Sequence, residues 1–169
     1  FVLTAGVGAT GEPHLIQQRI YLGAAIEVLR LALAVHTHLL EATNSSQQID
    51  RSVLGSTVLA GDFCFSRSAG LAAKTGSPVV VDIFAQALQH VSEGTLRGLF
   101  DTGDPALPAF DAERELCLSG VAAANELAGL NATEREIDHQ LALLLLNHRQ
   151  NAVAQQPHAA LASLPPALL

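Results

Sequence analysis

Along this chain apolar residues recur at three- and four-residue spacing over long segments, and proline, glycine or short polar runs separate one segment from the next. Strict alternation at period two is confined to short patches, so the pattern argues for helices throughout. Residues 1–8 read as the end of a helix stopped by the turn at 9–13. A second helix is predicted from His14 to Thr43, with Pro13 in its first turn, where the missing N–H has no intrahelical partner to lose. Its charged residues Arg19, Glu27 and Arg30 are sparse, which predicts burial on most sides. At ~1.5 Å per residue it is about 45 Å long, the length of a central helix.

The polar run at 44–48 (NSSQQ) predicts a loop, and a third helix follows from Asp50 to Lys74, ending at Thr75-Gly76. Ser77-Pro78 caps a fourth helix that reaches Phe100. Two prolines within 101–108 predict a loop, then a fifth helix over Ala109–Ala128 is closed by Gly129. Thr133 with Glu136 three residues on is a capping-box pattern, opening a sixth helix that continues to Gln155. Residues 156–169 carry three prolines and are expected to form a poorly ordered tail. No internal repeat is present. The expected fold is therefore all-α, an antiparallel helix bundle over residues 1–155 followed by the proline-containing tail 156–169.

Composition narrows the class of partner. With 49% hydrophobic and only 15% charged residues, 169 residues give a large core and a lean polar surface, so some apolar surface is expected to meet a partner. No uncharged apolar run reaches the ~18 residues of a membrane span, and the longest candidate, Leu31–Leu40, is interrupted by His36 and His38. A net charge of −7, with Lys74 the sole lysine, argues against nucleic acid and against an anionic membrane surface. Cys64 and Cys117 lie in apolar helical contexts without metal-type spacing and read as buried reduced thiols. The chain has no methionine and begins at Phe1, so it reads as an incomplete copy or a fragment. Residues 1–8 lack the basic start of a secretory signal, and a cytoplasmic location is expected, an organellar one remaining open. Without that signal, the sequons Asn44-Ser45-Ser46 and Asn131-Ala132-Thr133 read as a loop and a helix cap.

Two segments carry more than architecture. Residues 25–42 read AIEVLRLALAVHTHLLEA, and residues 58–66 read VLAGDFCFS. Together they resemble the core of the trans-polyprenyl diphosphate synthase family, whose pattern there is A-I-E-L-x-H-x-x-x-L-x-H-D-D-x-x-D, a loop, then A-V-L-A-G-D-x-L. In that register His36 takes the place of the family's histidine, Thr37 and His38 fall on two metal-binding aspartates, and Glu41 falls on the third. Glu93-Gly94 resembles E-G-E-x-x-Q, with Thr95 and Gly98 in place of the second glutamate and the glutamine. Residues 120–127 (GVAAANEL) resemble the stretch after the family's Lys-Thr pair, where this chain has Leu116 and Cys117. The likeness runs in order from residue 1 to Gly129, and the family's C-terminal third has no counterpart. The fold it implies is a truncated isoprenoid-synthase-type core.

Prenyl transfer in such a fold must ionise an allylic diphosphate, which requires metal ions and cations to neutralise the leaving group. Magnesium takes carboxylate oxygens, supplied in the family by two aspartate-rich turns. Here the first turn retains only Glu41, and the second, expected on helix six, reads Asn147-His148-Arg149-Gln150-Asn151. The loop arginines after the first turn are replaced by NSSQQ. The resemblance thus implies that the family's magnesium sites are lost and that no metal or cofactor is held. A new metal site does not follow, because His36 and His38 point ~200° apart on one helix while His38 and Glu41 share a face. His36, Thr37, His38, Glu41 and Asp62 are read as a vestigial substrate pocket, Asp62 as a buried helical carboxylate or one hydrogen-bonded to a neighbouring helix.

In the family the residues a turn before the first aspartates face the growing prenyl chain. The matching Ala32 and Leu33 form no aromatic plug, which resembles the long-chain branch, where some members pair a catalytic subunit with a degenerate one. The function expected from the resemblance is a non-catalytic subunit that pairs with an active synthase subunit, or with itself as a dimer, in isoprenoid biosynthesis. A degenerate but active prenyltransferase and a module that binds a prenyl or other apolar ligand are the alternatives.

Overall fold

A computed structural model describes residues 13–44, 50–100 and 110–155. They form five helices: α1 (Pro13–Asn44), α2 (Arg51–Ala73), α3 (Pro78–Phe100), α4 (Ala112–Leu127) and α5 (Ala132–Gln155). No strand occurs among the described residues. The first predicted helix (1–8), the loop at 101–108, the tail and all of the loop at 44–48 except Asn44, which ends α1, fall outside them.

Punctuation sets the helix ends. Asp50 caps α2 by accepting from Ser52 N at 2.7 Å. After α2 the chain turns through Gly76 at φ +70, a left-handed conformation that suits glycine, and the Ser77 hydroxyl accepts from Val80 N to open α3. α4 begins three residues later than the sequence predicts. Asp111 sits in extended backbone and its carboxylate accepts from Arg114 N at 2.9 Å, which fixes the helix start at Ala112. α5 is capped by Asn131 rather than Thr133. Its Oδ1 accepts from Thr133 N and Glu134 N, and the Glu134 carboxylate accepts in turn from Asn131 N. That is a capping box shifted two residues from the predicted one.

The core is built at helical spacing. Leu22, Ala25, Ile26 and Leu29 of α1 meet Val80, Phe84, Ala87 and Val91 of α3 and Leu116, Ala123 and Ala124 of α4 in one buried cluster, with Ala72 from α2. α1 packs mainly along α2 and also on α4; α3 packs on α2 and α4, while α5 rests on α4. The Gln18 amide ties α1 to the turn after α2 by donating to Thr75 O at 2.6 Å.

α1 is not buried on most sides, as its few charges suggested. One stripe is buried, and Ile16, Ile20 and Leu31 are exposed. By length and composition its Pro13–Leu39 stretch (27 residues, hydropathy 1.5) would also suffice to cross a membrane, although it contains no long uncharged run. Other exposed apolar side chains lie on α2 (Val53, Leu59, Phe63) and α5 (Ile137, Leu141, Leu144, Leu145). Neither cysteine is fully buried.

Candidate functional site

The second half of α1 presents two stripes to two neighbours. Its His36 turns toward α2, where the imidazole lies 5.1 Å from the Phe65 ring, centroid to centroid, tilted by 46°. His36 Nε2 is 3.8 Å from the Asp62 carboxylate and has no hydrogen-bond partner. The ring reaches this position only because residue 61 is glycine: a Cβ there would overlap the imidazole. The VLAGD segment thus works as a seat for His36, with Gly61 making room and Asp62 at the edge. Asp62 is exposed rather than buried, and its reach is toward the neighbouring helix.

The other stripe, Arg30, Leu33, Ala34 and Thr37, faces α4 across an open cleft of about 450 Å³, with Ala112, Glu113 and Leu116 on the far wall. Thr37 continues the Arg30–Ala34 side of the helix, while His36, about 100° round the axis from it, falls on the α2 side. His38 is exposed. Glu41 lies in the last turn of α1, and its side chain is outside the described residues. Leu33 is on the cleft wall, whereas Ala32 is in the core with no exposed surface. The proposed pocket residues therefore separate into three directions. Among the described residues no group of three or more His, Cys, Asp or Glu side chains is placed to hold a metal ion.

The cleft's electrostatics come from residues that the sequence reading passed over. Glu113, at the start of α4, receives Arg30 from α1 and Arg149 from α5 on the same carboxylate oxygen, Oε1. Glu27 lies 3.4 Å from Arg30. Two carboxylates and two guanidiniums thus balance at the cleft. The hydrogen bond to Glu113 pushes the Arg149 guanidinium further above its ordinary range. Arg114 reaches the adjoining Asn147, so the NHRQN segment of α5 is fixed against the start of α4 at two points. Cys117, one turn on, has its thiol pushed up by burial, opposed more weakly by nearby positive charge. Leu116 is buried. Only the Glu27/Arg30 spacing of i, i+3 was visible locally; Arg30 and Glu113 are 83 residues apart.

On the far side of Gly94, a Cβ would strike the Phe110 ring. The glycine of the Glu93-Gly94 pair therefore admits the residue that precedes α4, while Glu93 accepts from Gln89 at 2.8 Å.

No known family profile matches the chain, and no curated protein does. Among solved structures it is similar to a polyprenyl synthase from Caulobacter crescentus CB15, crystallised with calcium and isoprenyl diphosphate, at 20% identity and a TM-score of 0.58. The likeness covers 81% of this chain and 49% of that one, so the chain spans about half the length of the synthase. At this identity the likeness establishes the fold: an all-α bundle of the polyprenyl-synthase kind.

Proposed function

We propose that this chain is a non-catalytic subunit of a long-chain polyprenyl diphosphate synthase, pairing with an active subunit in isoprenoid biosynthesis. The observation that carries this reading is the state of the α1–α4 cleft. In the register of the family resemblance Thr37 falls on a metal-binding aspartate; it lines this cleft, where Glu113 is engaged by two guanidiniums. A hard divalent cation needs several free carboxylate oxygens. At this cleft it would have to displace both Arg30 and Arg149 to free the one carboxylate of Glu113, with Glu27 beside it. The arginines in turn are neutralised and so are poorly placed to take up the charge of a departing diphosphate. The exposed Leu59 and Phe63 on α2 and the Leu141 and Leu144 on α5 supply apolar surface of the kind that a partner subunit covers.

Incubation of the purified chain with isopentenyl diphosphate, an allylic diphosphate and magnesium is expected to yield no polyprenyl product. Co-expression with an active synthase subunit is expected to give a stable hetero-oligomer with altered product length or yield. Magnesium-dependent product from the pure chain would overturn the non-catalytic assignment. An active subunit that neither associates with the chain nor changes its output would overturn the pairing.

A further inference from the structure

The face of α5 that turns away from the bundle is apolar along its middle. Ala142 and Leu146 are buried, whereas Ile137, Leu141, Leu144 and Leu145 on the opposite side are 62, 52, 66 and 46% exposed. From Gln140 to Asn147 the helix carries no charged side chain. Single exposed apolar residues are ordinary on a surface, but four on one stripe within nine residues mark a face that something covers. Their spacing says what kind of object fits. Ile137, Leu141, Leu144 and His148 follow one another at four, three and four residues, the seam by which one helix packs along another.

The ends of the stripe select the occupant. Toward the N-terminus it is flanked by the carboxylates of Glu134 and Asp138, and at the far end it closes on the exposed imidazole of His148. A second copy of α5 laid antiparallel, about a two-fold axis beside Ala142 and Leu143, sets Leu141 opposite Leu144 of that copy. It also sets Ile137 opposite the second copy's His148. That imidazole enters the hole bounded by Glu134, Ile137, Asp138 and Leu141, which share one face at i, i+3, i+4 and i+7. There it can donate to a carboxylate. Glu134 already accepts from Asn131 N through Oε2, and a carboxylate has capacity for further bonds. The two-fold axis makes the same contact twice. A parallel copy would instead stack carboxylates on carboxylates. An anionic lipid surface fits no better, given those carboxylates and a net charge of −7.

We propose that this face of α5 is an interface between two copies of the chain, antiparallel about a two-fold axis, with His148 of each set against Glu134 and Asp138 of the other. The interface stands without the subunit role and leaves Leu59 and Phe63 on α2 for that pairing. Two α5 stripes with their polar flanks bring about 1,000 Å² together, the lower end of specific interfaces, so dissociation at about 10⁻⁵ M is expected.

Sedimentation of the purified whole chain between about 1 and 500 μM should show the mass rise from 17.7 kDa toward twice that value. Leu141→Glu should hold it at the lower mass throughout, with the helical signal in circular dichroism unchanged, because Leu141 lies outside the core. Asp138→Lys should weaken the dimer about tenfold, and adding His148→Glu in the same chain should restore it, since the two positions meet only across an antiparallel pair. In the unaltered chain, Ile137 and His148 are eleven residues and about 16 Å apart along one helix. An NMR contact between the Ile137 methyls and the His148 ring at high concentration can therefore arise only between copies. A mass of 17.7 kDa at every concentration, the result expected where a different protein covers this face, would overturn the proposal. So would a dimer that Leu141→Glu leaves intact, or one that the charge exchange fails to restore.

Discussion

A methyl group at Gly61 would land on the His36 ring, which is already held by Phe65 on one side and has Asp62 at its edge. Gly61→Ala is therefore expected to destabilise the chain by about 1–3 kcal/mol, the cost of overpacking, even though alanine is the better helix former. His36→Ala in the same chain should recover most of that loss, because the clash has one partner. A urea-denaturation cycle over the two single variants and the double variant measures this, and additive effects would show that His36 and Gly61 do not touch. Cys117 offers a separate check. Burial raises its folded thiol above its ordinary value, so the native chain holds the proton longer than the unfolded one. Its contribution to stability is thus complete below the unfolded thiol value and is lost as pH climbs through the raised folded value. Alkylation at pH 8.5 should be slower at Cys117 in the folded chain than in urea. Arg149→Ala should slow it further, since that change removes a lowering charge and leaves Glu113 with Arg30 as its remaining counter-charge.

At the scale of elements, the sequence was legible where a residue's own chemistry ends or starts a helix. Pro13, Asp50, Ser77-Pro78 and Gly129 each mark an end of a helix that the structure contains. It was less legible where two adjacent residues could do the same work. Thr133/Glu136 and Asn131/Glu134 both have capping-box spacing, but a glycine at φ +65 in residue 129 leaves Asn131 as the first residue able to reach the free N–H groups of α5. Asn131→Ala is expected to cost about 1 kcal/mol in urea denaturation, and Thr133→Ala much less. The reverse order would return the cap to Thr133. Burial was harder to read than helix limits. Few charges in α1 suggested a helix enclosed all round, yet a bundle with five described helices covers one stripe of it and leaves Ile16, Ile20 and Leu31 outside.

The molecule as a whole is where the candidate site left the reach of sequence. The fold implied by the ordered segments is the one the structure has, whereas the seat of His36 on Gly61 emerged only when α1 and α2 were packed together. The Arg30–Glu113–Arg149 cluster joins α1, α4 and α5 through residues with no local spacing to announce them. It also changes what restoring a carboxylate should do. Thr37 faces the same cleft as Arg30 and Glu113, whereas His38 is exposed. Thr37→Asp alone would place a new carboxylate among guanidiniums and is expected to gain little affinity for magnesium. Combined with Arg30→Gln and Arg149→Gln, it would leave the new carboxylate, Glu113 and Glu27 around one cleft without competing cations. That triple variant should bind magnesium with a dissociation constant of about 10⁻³ M, in the range of sparse exposed oxygen sites, and should still form no prenyl product. Calorimetry that found equal magnesium affinity in the single and triple variants would mean that the arginines do not govern the charge of this cleft. The main argument for a non-catalytic role would then fall with them.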